Sequence, residues 1–140
     1  LYNAPANVFV ADFIGEPPTN FFRCDVADDG RALKVRGADL ACVTTEARAA
    51  ALRARGASGA IAGVRPQNLK LGEGAATVAA TVAINEYLGE RSILTVTNGG
   101  ATFRALAPPE TGAARGEAVA LAYDPKDVMV FDETSEALIE

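Results

Sequence analysis

A carboxylate in the second half of the chain is the most informative residue for chemistry. Glu86 ends the stretch "TVAATVAINE", in which the residues of even number between positions 78 and 84 form an apolar face and Thr77, Thr81 and Asn85 lie on the other face. Strict alternation would place Glu86 on the same inward face, at the end of its strand. Because an unpaired buried carboxylate is costly, we expect a cationic partner there, and Arg65 and Arg91 are the candidates.

Two interpretations of Glu86 remain open. In the functional one, the carboxylate contacts a ligand or contributes to a regulatory surface. In the structural one, a β-bulge turns Glu86 outward, or the residue forms an ion pair with no further role.

Arg65 and the tyrosines are the other candidates. Arg65 precedes Pro66, which favours an extended backbone and so positions the guanidinium, a group that binds carboxylates and oxyanions through two parallel hydrogen bonds. Its alternative role is a structural clamp between strands. Tyr87 and Tyr123 are typical of the edge of a barrel, although a sugar could stack on either ring.

Composition and missing motifs exclude several function classes. The chain of 140 residues has no His and a net charge of −5, which disfavours zinc sites, His-based catalysis and nucleic-acid binding. Neither a phosphate-binding GxxxxGK[ST] loop nor a GxSxG, HExxH or CxxC motif occurs. Cys24 and Cys42 are expected to be free thiols, with a disulfide conceivable only if the fold brings them together.

The elements that must position these residues are mostly strands. A helix over residues 5–14 is predicted, ended by the double proline at 17–18. "FFRCDV" and "RALKV" flank Asp-Asp-Gly and predict a hairpin, and Ala-rich residues 44–55 predict a second helix that ends at Gly56.

The remainder of the chain predicts an all-β structure. The strand "GAIAGV" is followed by "TVAATVAINEY", a turn at Gly89, and a hairpin at Asn98-Gly99. "AVALAY" and "DVMVF" add two more strands, with a turn between them. Short strands at regular spacing indicate a small barrel or sandwich of one domain.

Four motifs in order resemble the ATP-binding subunits of carbohydrate-uptake ABC importers of the maltose, multiple-sugar and glycerol-3-phosphate type. "YNAPANVFVADFIGEPPTNFF" resembles the segment that follows the nucleotide-binding domain in that family. "GVRPQNL", "NEYLGE" and "GEAVALAYDPKDVMVFDETSEAL" are similar to three later family motifs. Thr19, Gln67, Asn68 and Ser135 depart from the family pattern.

The resemblance implies a mainly β fold, the transport-associated OB-type β-barrel, with an N-terminal linker helix and one short additional helix. It implies a linker helix over residues 1–18 from a missing nucleotide-binding domain and an OB-type regulatory domain over residues 19–140. The chain itself would be no enzyme and hold no cofactor, whereas ATP and Mg²⁺ would bind in the missing domain of a transport ATPase.

The resemblance also implies partners. They are a second copy of the same subunit, membrane permease subunits reached through the missing domain, and a regulatory protein, with no nucleic acid. The location would be cytoplasmic, at the inner face of the cell membrane. Glu86, Gly89, Arg65 and Tyr87 are the candidates for the regulatory surface or the interface. The alternative function is a barrel that senses a sugar, a sugar phosphate or an oxyanion.

Overall fold

Strands dominate the described part of the chain, which in this computed structural model comprises Asn7 and residues 17–140. The strands are β1 (Asn20–Ala27), β2 (Ala32–Val35), β3 (Ala41–Val43), β4 (Gly59–Val64), β5 (Lys70–Leu71), β6 (Ala76–Tyr87), β7 (Ser92–Asn98), β8 (Ala101–Ala107), β9 (Ala118–Tyr123) and β10 (Met129–Asp132). The helix α1 spans Glu46–Arg55, and 3-10 turns occupy Asp28–Gly30, Pro66–Asn68 and Pro125–Asp127.

The strands form two five-stranded antiparallel sheets, and the main core contains side chains from both. One sheet has the order β10-β4-β1-β2-β3 and the other β5-β9-β6-β7-β8. The largest side chains of that core are almost inaccessible to solvent: Phe103, Leu33, Leu52, Leu94, Leu121 and Ile139. The predicted mainly β architecture is therefore confirmed for the described residues.

Both predicted hairpins are present. The β1–β2 turn uses Asp29 (φ 58°) and Gly30 (φ 91°), backbone conformations that Asp and Gly adopt more readily than other residues. In the β7–β8 hairpin, Asn98 pairs with Ala101, so Gly99 and Gly100 form a two-residue loop. Both turn sequences therefore predicted the strand pairing correctly, but the second loop lies one residue after the predicted Asn98-Gly99 turn, because Asn98 still pairs with Ala101.

Helix α1 ends at the predicted residue but begins at Glu46, two residues after the predicted start at position 44, because Thr45 caps it. The Thr45 hydroxyl accepts a hydrogen bond from the Arg48 amide (3.3 Å), and Gly56 ends the helix in the left-handed conformation. Leu52, which is fully buried, carries the packing of the helix against the core.

Two side chains join one sheet to the other. The amide of Asn20 on β1 donates to the Arg104 carbonyl (2.8 Å) and accepts from the Arg104 N–H (2.9 Å) on β8. The Val43 N–H donates to the Tyr123 hydroxyl (2.7 Å), which links β3 to β9. Because these bonds satisfy backbone groups of strands that face each other across the barrel, they help to close it.

The two cysteines are free thiols, as expected, and both are buried. Cys24 lies on β1 and Cys42 on β3, with β2 between them. Two strand spacings amount to roughly 10 Å, beyond the ~7 Å limit between Cα atoms for a disulfide. Burial raises the pKa of Cys24 to about 11 and that of Cys42 to about 12, so both thiols are protonated and unreactive at neutral pH.

Of the predicted linker over residues 1–18, the structure describes Asn7, Pro17 and Pro18, so the predicted helix over residues 5–14 lies outside the described residues except for Asn7. Asn7 forms an isolated antiparallel bridge with Ala137. The division into a linker over residues 1–18 and a domain over residues 19–140 therefore stays a prediction. In the part of the chain that is described, no helix has the length and apolar character needed to cross a membrane.

Candidate interaction surface

An apolar surface lies at the end of the long strand β6. Among the residues that the structure describes, the large hydrophobic side chains that are exposed are Ile84 (51%), Tyr87 (68%) and Leu88 (51%). All three fall within five consecutive residues, next to the turn that leads into β7. We call these three residues, with Glu86 and Gly89 between and beside them, the tip surface.

A β-bulge in β6 creates this surface. Val82 pairs with Val96 and Ile84 pairs with Thr95, so Ala83 is an extra residue without a partner on β7. Before the bulge, residues of even number on β6 face the core; after it, Ile84 is exposed. One extra residue therefore reverses which side of the strand meets solvent.

The bulge turns Glu86 outward, which confirms the β-bulge alternative and overturns the inward orientation that strict alternation predicts. Glu86 is exposed, and in the described part of the chain no ion pair joins it to Arg65 or Arg91. The expectation of a buried carboxylate with a cationic partner is wrong because strict alternation fails at Ala83. The role of Glu86 in a regulatory surface or an interface stays a prediction.

Asn85 takes the inward position that was expected for Glu86. Its side-chain amide donates to the carbonyls of Thr111 (3.1 Å) and Ala113 (3.0 Å), in the loop between β8 and β9. That loop also bonds to the β6 backbone, since the Gly116 N–H donates to the Val82 carbonyl (2.8 Å). Strict alternation predicts that Asn85 lies on the outer face. This prediction is wrong because of the bulge at Ala83.

The turn beside the tip surface has the predicted form. Gly89 adopts φ 86°, and the Leu88 N–H donates to the Arg91 carbonyl (2.8 Å). Gly89 therefore allows the tight turn from β6 into β7. The turn keeps the side chains of Tyr87 and Leu88 exposed to solvent.

Arg65 forms a separate feature. It follows β4 in an extended conformation (φ −75°, ψ 143°) before Pro66, as predicted. Its Nη2 atom is buried and has no hydrogen-bond partner among the described residues. A buried charged donor without an acceptor is costly, and another molecule reaches this atom only if the residues that bury it move aside.

In the part of the chain that is described, no ion pair joins Arg65 to Glu86. An open groove with a volume of about 420 Å³ lies elsewhere, lined by Asn68, Lys70, Tyr123, Asp124 and Asp127 among others. Within it, the Tyr123 hydroxyl already accepts a hydrogen bond from the Val43 N–H. The candidate features are thus the tip surface and, apart from it, the unsatisfied Arg65.

A protein-family model described as TOBE domain matches residues 62–131. The matched region contains Arg65 and every residue of the tip surface.

Curated relatives align with almost the whole chain. The sulfoquinovosyl glycerol transport ATP-binding protein SmoE of Agrobacterium fabrum is 31% identical over 140 residues, covering 99% of this chain. The multiple sugar-binding transport ATP-binding protein MsmK of Streptococcus mutans is 33% identical, covering 99%. The trehalose/maltose import ATP-binding protein MalK of Thermococcus litoralis is 33% identical, covering 96%. The chain spans 38% of the length of each of these relatives.

A solved structure shares the fold. The cytoplasmic molybdate-binding protein ModG superposes with a TM-score of 0.60 at 16% identity, covering 79% of this chain and 94% of that one. This likeness confirms the predicted OB-type barrel. At such low sequence identity, the likeness shows the fold alone and says nothing about function.

Proposed function

Because the chain belongs to the TOBE domain family, we propose that it is the regulatory and dimerisation domain of the ATP-binding subunit of an importer for sugars or related solutes. The alignment with SmoE, MsmK and MalK over nearly the whole chain supports this proposal. In the parent subunit, ATP and Mg²⁺ bind outside this domain, and ATP hydrolysis drives uptake. The subunit then lies at the cytoplasmic face of the membrane, against its permease.

The exposure of the tip surface is the observation that carries the proposal. Ile84, Tyr87 and Leu88 are each at least half exposed, whereas the other large hydrophobic side chains of the described residues are more covered. Exposed apolar clusters bordered by polar residues mark sites of protein association. Tyr is also enriched among the residues that dominate binding energy at interfaces.

A second copy of the subunit is the partner that we propose for the tip surface. Most homo-oligomers close with two-fold symmetry, in which the same patch of each copy meets its equivalent. In such an interface Tyr87 and Leu88 form the apolar centre. Glu86 lies at the polar rim, where it remains solvated and needs no buried partner. A regulatory protein could compete for the same surface.

We expect the paired substitution of Tyr87→Ser and Leu88→Ser in the parent subunit to weaken self-association by about tenfold or more, since loss of central apolar contacts commonly costs this much. Sedimentation equilibrium measures the dimer dissociation constant. Thr77→Ser is the matched control, because Thr77 is exposed on the same strand but lies far from the tip surface. An unchanged dissociation constant for the paired variant would refute the proposed interface.

The alternative function, a sensor of a small oxyanion or sugar phosphate, is favoured by one observation. The buried Nη2 of Arg65 has no acceptor among the described residues, and a phosphate-like oxygen would supply one once the residues that bury this atom move aside. Calorimetric titration with molybdate and glycerol phosphate tests this function. The sensor function predicts that the unsubstituted chain binds one of these anions, that Arg65→Gln abolishes the binding and that Lys70→Gln preserves it. If the unsubstituted chain binds neither anion, the sensor function is eliminated.

A further inference from the structure

The side chain of Asn98 holds a contact between the two sheets. Its Oδ1 accepts a hydrogen bond from the Asp39 N–H (2.8 Å), and its Nδ2 donates to the carbonyls of Asp39 (3.2 Å) and Ala79 (2.9 Å). Asp39 lies in the loop between β2 and β3, in the other sheet from Asn98. One amide therefore joins the β2–β3 loop to the β7–β8 hairpin.

The residues that follow Asn98 have to be small. The Gly100 N–H donates to the Gly37 carbonyl (2.7 Å). A Cβ atom on Gly99 would lie 2.8 Å from that same carbonyl oxygen, and Gly99 has φ 57°. The close approach of the hairpin to the β2–β3 loop thus requires glycine immediately after the asparagine.

This requirement creates a chemically labile pair of residues. Asn98 is the only asparagine in the sequence that is followed by glycine. Glycine lacks a side chain that would shield its backbone nitrogen. In a free Asn-Gly pair, that nitrogen attacks Cγ of the asparagine, the new N–C bond closes a five-membered succinimide, and Nδ2 leaves as ammonia. Water then opens the ring to aspartate or isoaspartate, and no oxidant or reductant is involved.

We propose that Asn98 is a deamidation site that the native fold protects and whose conversion breaks the contact between the sheets. Protection follows because ring closure has to release the amide from its three hydrogen bonds. The damage follows because a carboxylate at position 98 would face the carbonyl oxygens of Asp39 and Ala79, with no proton to donate to either. Isoaspartate would also lengthen the backbone of a two-residue turn and disturb its pairing.

Peptide mass spectrometry of the purified chain, incubated at mildly alkaline pH with and without denaturing urea, tests the protection. We expect the aspartate and isoaspartate products at position 98 to form about tenfold or more slowly in the folded chain, since even one net hydrogen bond approaches that factor. Equal rates in the folded and unfolded chains would overturn the proposal.

The damage is tested by thermal unfolding of Asn98→Asp. We expect the unfolding midpoint of this variant to fall by about 4 °C or more, because the carboxylate loses both hydrogen bonds that Nδ2 donates and instead faces their carbonyl oxygens. Asn68→Asp makes the same chemical change on a 3-10 turn, where the Asn68 side chain forms no hydrogen bond with the described residues, and it should change the midpoint little. Equal midpoints for Asn98→Asp and the unsubstituted chain would contradict the proposed damage.

Discussion

Phe103→Ala is expected to lower the free energy of unfolding by about 3–5 kcal/mol, the usual cost of removing a buried phenyl ring from a core. Phe103 lies on β8 and is 2% exposed. Its ring packs edge to face against Phe22 of β1, with centroids 5.3 Å apart, so it fills the space between the two sheets. Urea-induced unfolding followed by circular dichroism measures the change.

Phe103→Leu is the matched control for that prediction. It keeps most of the apolar volume and loses mainly the ring contact, so its cost should be clearly smaller. A loss below about 1 kcal/mol for Phe103→Ala would show that the sheets do not pack through this residue.

Gly30→Ala is expected to cost about 2–4 kcal/mol, because two penalties combine. Gly30 has φ 91°, which a residue with a Cβ atom rarely adopts. An added Cβ would lie 2.8 Å from the Ala49 carbonyl oxygen, in the backbone of helix α1. The variant should therefore push the helix away from the β1–β2 turn, and thermal unfolding would detect the lower midpoint.

Gly37→Ala separates the two penalties. Gly37 has a similar φ of 81°, but an added Cβ would meet no atom within 4 Å. We expect it to cost only the conformational penalty of about 1–2 kcal/mol. Equal losses for the two variants would mean that the close approach of Gly30 to Ala49 adds nothing.

Much of the fold followed from local signals in the sequence. The Asp-Asp-Gly and Asn98-Gly99 turns predicted two hairpins, and Gly56 predicted the end of helix α1; the structure confirms all three. These predictions succeeded because turn and cap residues act on backbone positions next to them. The OB-type class followed from the order of four family motifs, which residue patterns alone did not specify.

The candidate site was predicted less well, and one residue explains why. The bulge at Ala83 has no compositional signal, since the alternation of "TVAATVAINEY" continues through it without glycine or proline. The orientations assigned to Ile84, Asn85 and Glu86 were therefore reversed. Tyr87 and Gly89 were placed correctly at the exposed end because the turn signal at Gly89 is local.

The hydrogen bonds that close the barrel could not be predicted from the sequence either. Asn20 and Arg104 are 84 positions apart, and Tyr123 and Val43 are 80 apart. Side-chain amides and hydroxyls have many alternative partners, so a single sequence does not reveal which backbone groups they satisfy. The unsatisfied Nη2 of Arg65 likewise depends on burial that only the three-dimensional structure provides.

Disulfide cross-linking of the parent subunit carrying Tyr87→Cys tests the central claim most directly. Cys24 and Cys42 are buried thiols with raised pKa values, so the introduced cysteine reacts alone among the described residues. Two tip surfaces that meet across a two-fold axis bring the two new thiols together, and mild oxidation should then produce a covalent dimer. Thr77→Cys, exposed on the same strand, should remain monomeric on a denaturing gel. A Tyr87→Cys variant that never cross-links, or that cross-links no more than Thr77→Cys, would contradict the proposal that this surface joins two copies.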